Sequence, residues 1–257
     1  MMIGAIAGDI IGSEYEFAPI KTTDFPLFSS NSEFTDDTVL TIAVADVLLN
    51  GGDIVDTLKR YTQDYPDRGY GGSYYHWAHS DKRCPYQSWG NGSAMRTSPI
   101  GFFFNERKEV LEAAREYAAV THNHPHGISG AQAVALSIFL ARNGAKKEEI
   151  RREITTLFDY NLSMSISDIR PSYHFDVSCQ GSVPQSIIAF LESTNVEDAI
   201  RLAVSLGGDA DTMACITGGI AEAFYGDVPE YIITESRQRL PDKLLSVIDA
   251  FYAHISN

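Results

Sequence analysis

Along most of the chain, apolar residues return at intervals of three and four. They do so in runs of roughly 12 to 18 residues that open on a cap-competent polar residue and close on glycine or proline. The spacing predicts helices over Thr35 to Leu49, Asp53 to Tyr65, Glu106 to Val120, Pro125 to Arg142, Lys147 to Phe158, Pro184 to Ser193, Val196 to Ser205, Asp209 to Tyr225 and Pro241 to His254. Few segments alternate with the period of two that a half-buried strand needs, so the fold class is all-α. In Pro125 to Arg142 the buried stripe is Ile128, Ala131, Ala135, Ile138 and Phe139, with Pro125 suited to the first turn and Gly144 to the stop. Met1 to Gly12 also reads as a core helix. It is apolar except at Asp9, lacks a basic leader and falls short of the ~20 residues of a membrane span. Its Gly4, Gly8 and Gly12 recur every fourth residue and bare one helix face to another backbone, which predicts a central position.

Two stretches break the rhythm and are too long for simple connectors. Asp64 to Asn91 holds both tryptophans, Trp77 and Trp89, among tyrosines and glycines; Asn161 to Val183 holds Tyr173, His174, Phe175 and the run Cys179 to Ser182. Long aromatic loops in compact domains are commonly functional, although the same aromatics can plug a helical core. No linker-like shift of composition and no repeat interrupts the chain, so residues 1–257 are expected to form one domain. Against 34 Asp plus Glu stand 20 Lys plus Arg, a net charge of -14, the wrong sign for a phosphate backbone. Neither nucleic acid nor membrane is an expected partner. Cys84, Cys179 and Cys215 are far apart with no CxxC pair, which suits neither a disulfide framework nor a thiolate zinc site and points to a reducing cytoplasm. A monomer is the expected state.

Candidate chemistry begins at two similar helix openings. Thr35, Asp36, Asp37 and Thr38 stand before one apolar run, and Gly207, Gly208, Asp209, Ala210, Asp211 and Thr212 before another. Either alone serves as a cap, with acidic residues complementing the helix dipole. Together they supply four carboxylates, more anionic charge than two caps require. If the openings face each other, cations must lie between them, and hard oxygen donors suit Mg²⁺ or Mn²⁺ rather than zinc. After the glycine-faced helix, Glu14 and Glu16 offer a carboxylate that can act on a water or leaving group, or are solvated charge. The run Trp89, Gly90, Asn91, Gly92, Ser93 precedes a short helical turn whose free N–H groups suit phosphate, or is a plain turn. In Thr121, His122, Asn123, His124, Pro125, His126, the proline argues against a histidine metal site and favours capping or ligand hydrogen bonds. Serine-hydrolase, P-loop and Rossmann signatures are absent.

Taken together, the runs GDIIGSEYEF from Gly8, FTDDT from Phe34, GNGSAMR from Gly90, THNHP from Thr121 and GGDADT from Gly207 resemble the ADP-ribosylglycohydrolase family, in order and over nearly the whole chain. The resemblance implies a compact all-α orthogonal bundle. It also implies two Mg²⁺ or Mn²⁺ ions held by Thr35, Asp36, Asp37, Asp209, Asp211 and Thr212, and a mobile glutamate matching Glu16 rather than Glu14. Gly90, Asn91, Gly92 and Ser93 match a turn near the phosphates and ribose, Trp89 an often aromatic position, and His122 a ligand-facing histidine. The implied activity is hydrolysis of the C1″ glycosidic or ester bond joining ADP-ribose to a protein side chain or small acceptor, with Asp36, Asp37, Asp211 and Glu16 carrying the chemistry. The aromatic loop before Gly90 departs from the better-known members, so the resemblance does not reach the leaving group. Two other functions fit parts of the pattern: a two-metal phosphohydrolase cutting a nucleotide pyrophosphate, and a non-catalytic ADP-ribose binder of the crystallin kind.

Overall fold

A computed structural model describes residues 2–256; Met1, the predicted start of the first helix, lies outside the described residues. In chain order the helices are α1 Ile3–Gly12, α2 Asp36–Asn50, α3 Ile54–Asp64, α4 Gly72–Ala78, α5 Gly92–Met95, α6 Ser98–Phe103, α7 Arg107–Ala119, α8 Pro125–Arg142, α9 Lys147–Phe158, α10 Ile166–Ile169, α11 Cys179–Glu192, α12 Val196–Val204, α13 Ala210–Tyr225, α14 Glu230–Gln238 and α15 Asp242–Ile255. No strand occurs among the described residues; extended pairing is confined to one bridge between Gly90 and Ser178.

Helices apolar on every side lie inside, as burial requires. All ten residues of α1 are buried, and α13 is buried from Ala210 to Glu222. The glycine face of α1 is spent on α13. A Cβ added at Gly4, Gly8 or Gly12 would lie 2.4, 2.0 or 2.5 Å from the backbone oxygens of Gly218, Ala214 and Ala210. The two backbones therefore touch along three turns. α11 and α12 cover α13, while α8 joins it to α5, α6 and α7, and α2 carries α3 and α15 on its outer side. Amphipathic helices form the exterior; in α9 only Ile150 and Ile154 are buried.

The structure corrects several expected boundaries. α8 is buried through Gly127, Gly130, Ala133, Val134, Leu136 and Ser137 as well as the predicted stripe, while Ile128 and Phe139 are only partly buried. It is a central helix with contacts all round, so a single stripe understated it. The stretch 64–91 contains α4, and 161–183 contains α10 and the start of α11. α11 begins at Cys179, not Pro184, because Ser178 Oγ accepts from the Gly181 N–H at 3.0 Å and caps it. Pro184 then falls one turn inside, a position where a missing N–H costs one bond near the helix start. The short α6 and the surface α14 carried too few periodic residues to be read.

Candidate metal-centred active site

α1 carries one buried charge. Asp9 accepts from the Thr35 N–H at 3.0 Å, from the Thr35 hydroxyl at 2.6 Å, from the Thr38 N–H at 3.1 Å and from the Thr38 hydroxyl. These bonds fasten the start of α2 to the middle of α1. Thr35 also caps α2 by accepting from the Asp37 N–H at 3.3 Å. Asp9 is absent from the residues expected at the site, although a lone carboxylate in an otherwise apolar helix was its signal in the sequence.

Because α1 lies on α13, the start of α13 arrives beside the start of α2. Gly207 turns the chain with φ 64°, a conformation that suits glycine. Asp209, at the N-cap position, makes no side-chain cap bond. Its Oδ2 instead accepts from the Asn91 amide at 2.6 Å, which ties the Gly90–Gly92 turn to α13. The Thr212 hydroxyl donates to Asp37 Oδ2 at 3.1 Å, joining the two helix openings directly. Asp37 Oδ1 is buried and has no partner. The simple capping reading therefore fails for Asp209 and Asp37, whose carboxylates point to other tasks.

The acidic groups converge. One oxygen each from Asp9, Asp37 and Asp211 lie within 4.8 Å of one another, as do oxygens from Glu16, Asp209 and Asp211. Asp211 belongs to both sets. Burial, then the charges of Asp211 and Asp9, push the Asp37 carboxyl well above the usual range; burial, then Asp209 and Asp9, do the same to Asp211. Asp36 is likewise raised by burial and then by Asp211, and Asp209 is raised to about 6 by burial against the lowering bond from Asn91. Glu16 reaches about 8 through burial and the charges of Asp211 and Asp9. Carboxylates crowded out of water in this way are relieved by a divalent cation. The orphaned oxygen of Asp37 and the two oxygen clusters fit such an ion.

The cluster forms one wall of a cleft of about 430 Å³. Other lining residues include Phe17, Tyr74, Tyr86, Arg96, His122 and Phe175, with Gly90, Asn91 and Gly92 at the turn. Glu16 lines the cleft, whereas Glu14 turns away and accepts from the Ser29 hydroxyl at 2.6 Å. Two expected ligand-side residues are placed elsewhere. Trp89 is 56% exposed, with its ring against His124 and outside the lining, and Ser93 is fully buried, donating to the Gly127 carbonyl at 2.7 Å. The Trp89 backbone carbonyl accepts from the Cys179 N–H at 2.9 Å beside the Gly90 to Ser178 bridge. His124 caps α8 by accepting from the His126 N–H, as the proline suggested. Cys84, Cys179 and Cys215 are all free, and no helix of the described residues is long and apolar enough to cross a membrane.

Comparison with known proteins agrees with this fold. The profile of the ADP-ribosylglycohydrolase family matches residues 1–257. ADP-ribosylhydrolase ARH3 of Danio rerio is 28% identical over 301 residues, spanning 88% of this chain and 81% of the relative. ADP-ribosylarginine hydrolase Tri1 of Pseudomonas putida is 25% identical over 262 residues, spanning 88% and 69%. A solved structure described as an ADP-ribosylglycohydrolase-related protein complex superposes with a TM-score of 0.73 at 22% identity, covering 99% of this chain and 96% of that one. With the match running the full length and the helix architecture shared, the chain belongs to the ADP-ribosylglycohydrolase family.

Proposed function

We propose that this protein is a metal-dependent hydrolase that releases ADP-ribose from a protein side chain or small acceptor by cleaving the bond at C1″. The observation that carries the reading is the meeting of the α2 and α13 openings, where Asp9, Asp37 and Asp211 form one cluster and Glu16, Asp209 and Asp211 a second, joined through Asp211. Asp36, Asp37, Asp209 and Asp211, with Thr35 and Thr212, are the residues proposed to hold two Mg²⁺ or Mn²⁺ ions. When bound, such ions neutralise the cluster, fix ribose hydroxyls and acidify a water.

The remaining work falls to the chain itself. Cleavage builds oxocarbenium-like positive charge on the ribose, which an acidic wall favours. A water oxygen forms the new bond to C1″ as the bond to the acceptor heteroatom breaks, and one water proton ends on the departing acceptor. Glu16 lies on the turn after α1 and lines the cleft, and in this reading it takes and returns that proton. Asn91 is held by Asp209 with its neighbouring glycines open to the cleft, and orients the ligand there.

The reading is tested by incubating the protein with ADP-ribosyl-arginine, ADP-ribosyl-serine and ADP-ribosyl ester substrates with Mg²⁺ or Mn²⁺ and analysing the products. Free ADP-ribose, lost on chelation, is expected. AMP plus a ribose phosphate would replace this reading with pyrophosphate hydrolysis. Glu16→Gln is expected to lower kcat by roughly 10²- to 10⁴-fold, with Glu14→Gln near wild type.

A further inference from the structure

Behind the Gly90–Gly92 turn lies a buried guanidinium whose bonds lead back to the cleft. Arg96 is 1% exposed and its Nη2 donates to the Tyr117 carbonyl at 3.1 Å and to Thr121 Oγ1 at 2.8 Å. Thr121 Oγ1, also buried, lies 2.7 Å from His122 Nδ1. A guanidinium only donates, so the threonine oxygen accepts from it and keeps one hydrogen to place. Two acceptors are in reach, His122 Nδ1 at 2.7 Å and the Ala118 carbonyl at 3.5 Å. The second is at the outer limit of a hydrogen bond, and the first is near the optimum for a hydroxyl.

If Nδ1 accepts, the single proton of a neutral imidazole resides on Nε2. That nitrogen faces the turn. A Cβ on Gly92 would stand 3.4 Å from it and one on Gly90 3.7 Å, and no hydrogen bond to it is made by the described residues. Burial and the Arg96 cation hold the ring's pKa well below the usual histidine range, which keeps it neutral.

We infer that Arg96 and Thr121 are positioning residues that hold His122 as the Nε2–H tautomer, a fixed neutral donor to a ligand oxygen lying over the Gly90–Gly92 turn. The opposite tautomer would aim a lone pair into a cleft walled by carboxylates, where an oxygen-rich anionic ligand needs a donor. His122 then binds rather than shuttles protons, which leaves proton transfer to Glu16. The identity of the ligand rests on the function proposed above; the tautomer does not.

The test is long-range ¹H–¹⁵N correlation NMR of the full chain labelled at histidine nitrogen, first without ligand. The expected His122 pattern is a protonated Nε2 beside an unprotonated Nδ1. Thr121→Val is expected to lose that pattern and weaken ADP-ribose binding roughly tenfold, the worth of one hydrogen bond to a charged group; Thr121→Ser retains both. A wild-type spectrum with protonated Nδ1, or an unchanged pattern in Thr121→Val, overturns the inference. Should Thr121→Val not fold, the wild-type spectrum decides alone. An ADP-ribose titration that leaves His122 unmoved, in a protein showing the expected tautomer, would instead count against the cleft as an ADP-ribose site.

Discussion

Asp37 shows what gathering these carboxylates costs the fold. Its Oδ2 has the Thr212 hydroxyl, its Oδ1 has no hydrogen-bond partner, and four other carboxylates, Asp211, Asp9, Asp36 and Asp209, raise its pKa after burial itself. Asparagine there keeps the shape, removes a charge and brings an N–H₂ toward acidic neighbours. Asp37→Asn is therefore expected to stabilise the chelated protein by about 1–2 kcal/mol, read as a rise in Tm, while abolishing both turnover and the Tm gain from Mg²⁺. Thermal unfolding with chelator and with Mg²⁺ measures both; a variant less stable than wild type in chelator would refute the crowding argument. The same groups set a pH dependence. Asp209 at about 6 and Glu16 at about 8 bind protons more tightly folded than unfolded, so their contribution is whole below the ordinary carboxyl range and is lost as pH rises through 6 and then 8. His122, held below its ordinary pKa, acts in the other direction, but it belongs to neither carboxylate cluster. The difference between the Mg²⁺ and chelated Tm values is thus expected to widen from pH 5 to pH 8. A constant difference would mean these carboxylates do not see the ion.

At the scale of elements, the site depends on how closely α1 and α13 approach. α1 presents Asp9 and leads to Glu16, while α13 opens with Asp209 and Asp211, so their separation sets the spacing of the carboxylates. A Cβ at Gly8 would stand 2.0 Å from the Ala214 oxygen, and neither backbone can yield without moving a helix. Gly8→Ala is expected to cost about 3 kcal/mol or more, a Tm drop of roughly 6 °C or more, and to weaken metal binding far from the substitution. Calorimetry with Mg²⁺ checks the second effect; unaltered metal affinity would separate the contact from the site. The glycine spacing made this contact legible in the sequence, because a four-residue glycine repeat has little other use in a core helix. The paired acidic helix openings were legible for the same reason, as a surplus over what caps require. What stayed hidden was pairing across space. The lone carboxylate of Asp9 in an apolar helix does not say which element it anchors, and nothing local marks Ser93 as buried or Trp89 as turned outward. Helices below about eight residues, such as α5 and α6, are too short to carry a period.

The whole molecule opposes the ligand that its site is proposed to take. A net charge of -14 repels an ADP-ribose dianion at long range, while the proposed attraction acts within the cleft, through the cations proposed there, the Arg96 guanidinium and the donors around Asn91 and His122. The two fields differ in reach, and salt separates them. At about 0.1 M ionic strength the Debye length is near 10 Å, short enough to mask charges scattered over the surface but not contacts already made inside the cleft. With Mg²⁺ saturating throughout, raising KCl from about 20 to about 300 mM should speed ADP-ribose association several-fold and leave dissociation nearly unchanged. That is the reverse of an electrostatically steered enzyme, whose association slows with salt. Stopped-flow measurement of the two rate constants checks it. Association that slowed with salt would show that cations bound at the α2 and α13 openings project past the cleft and outweigh the acidic surface.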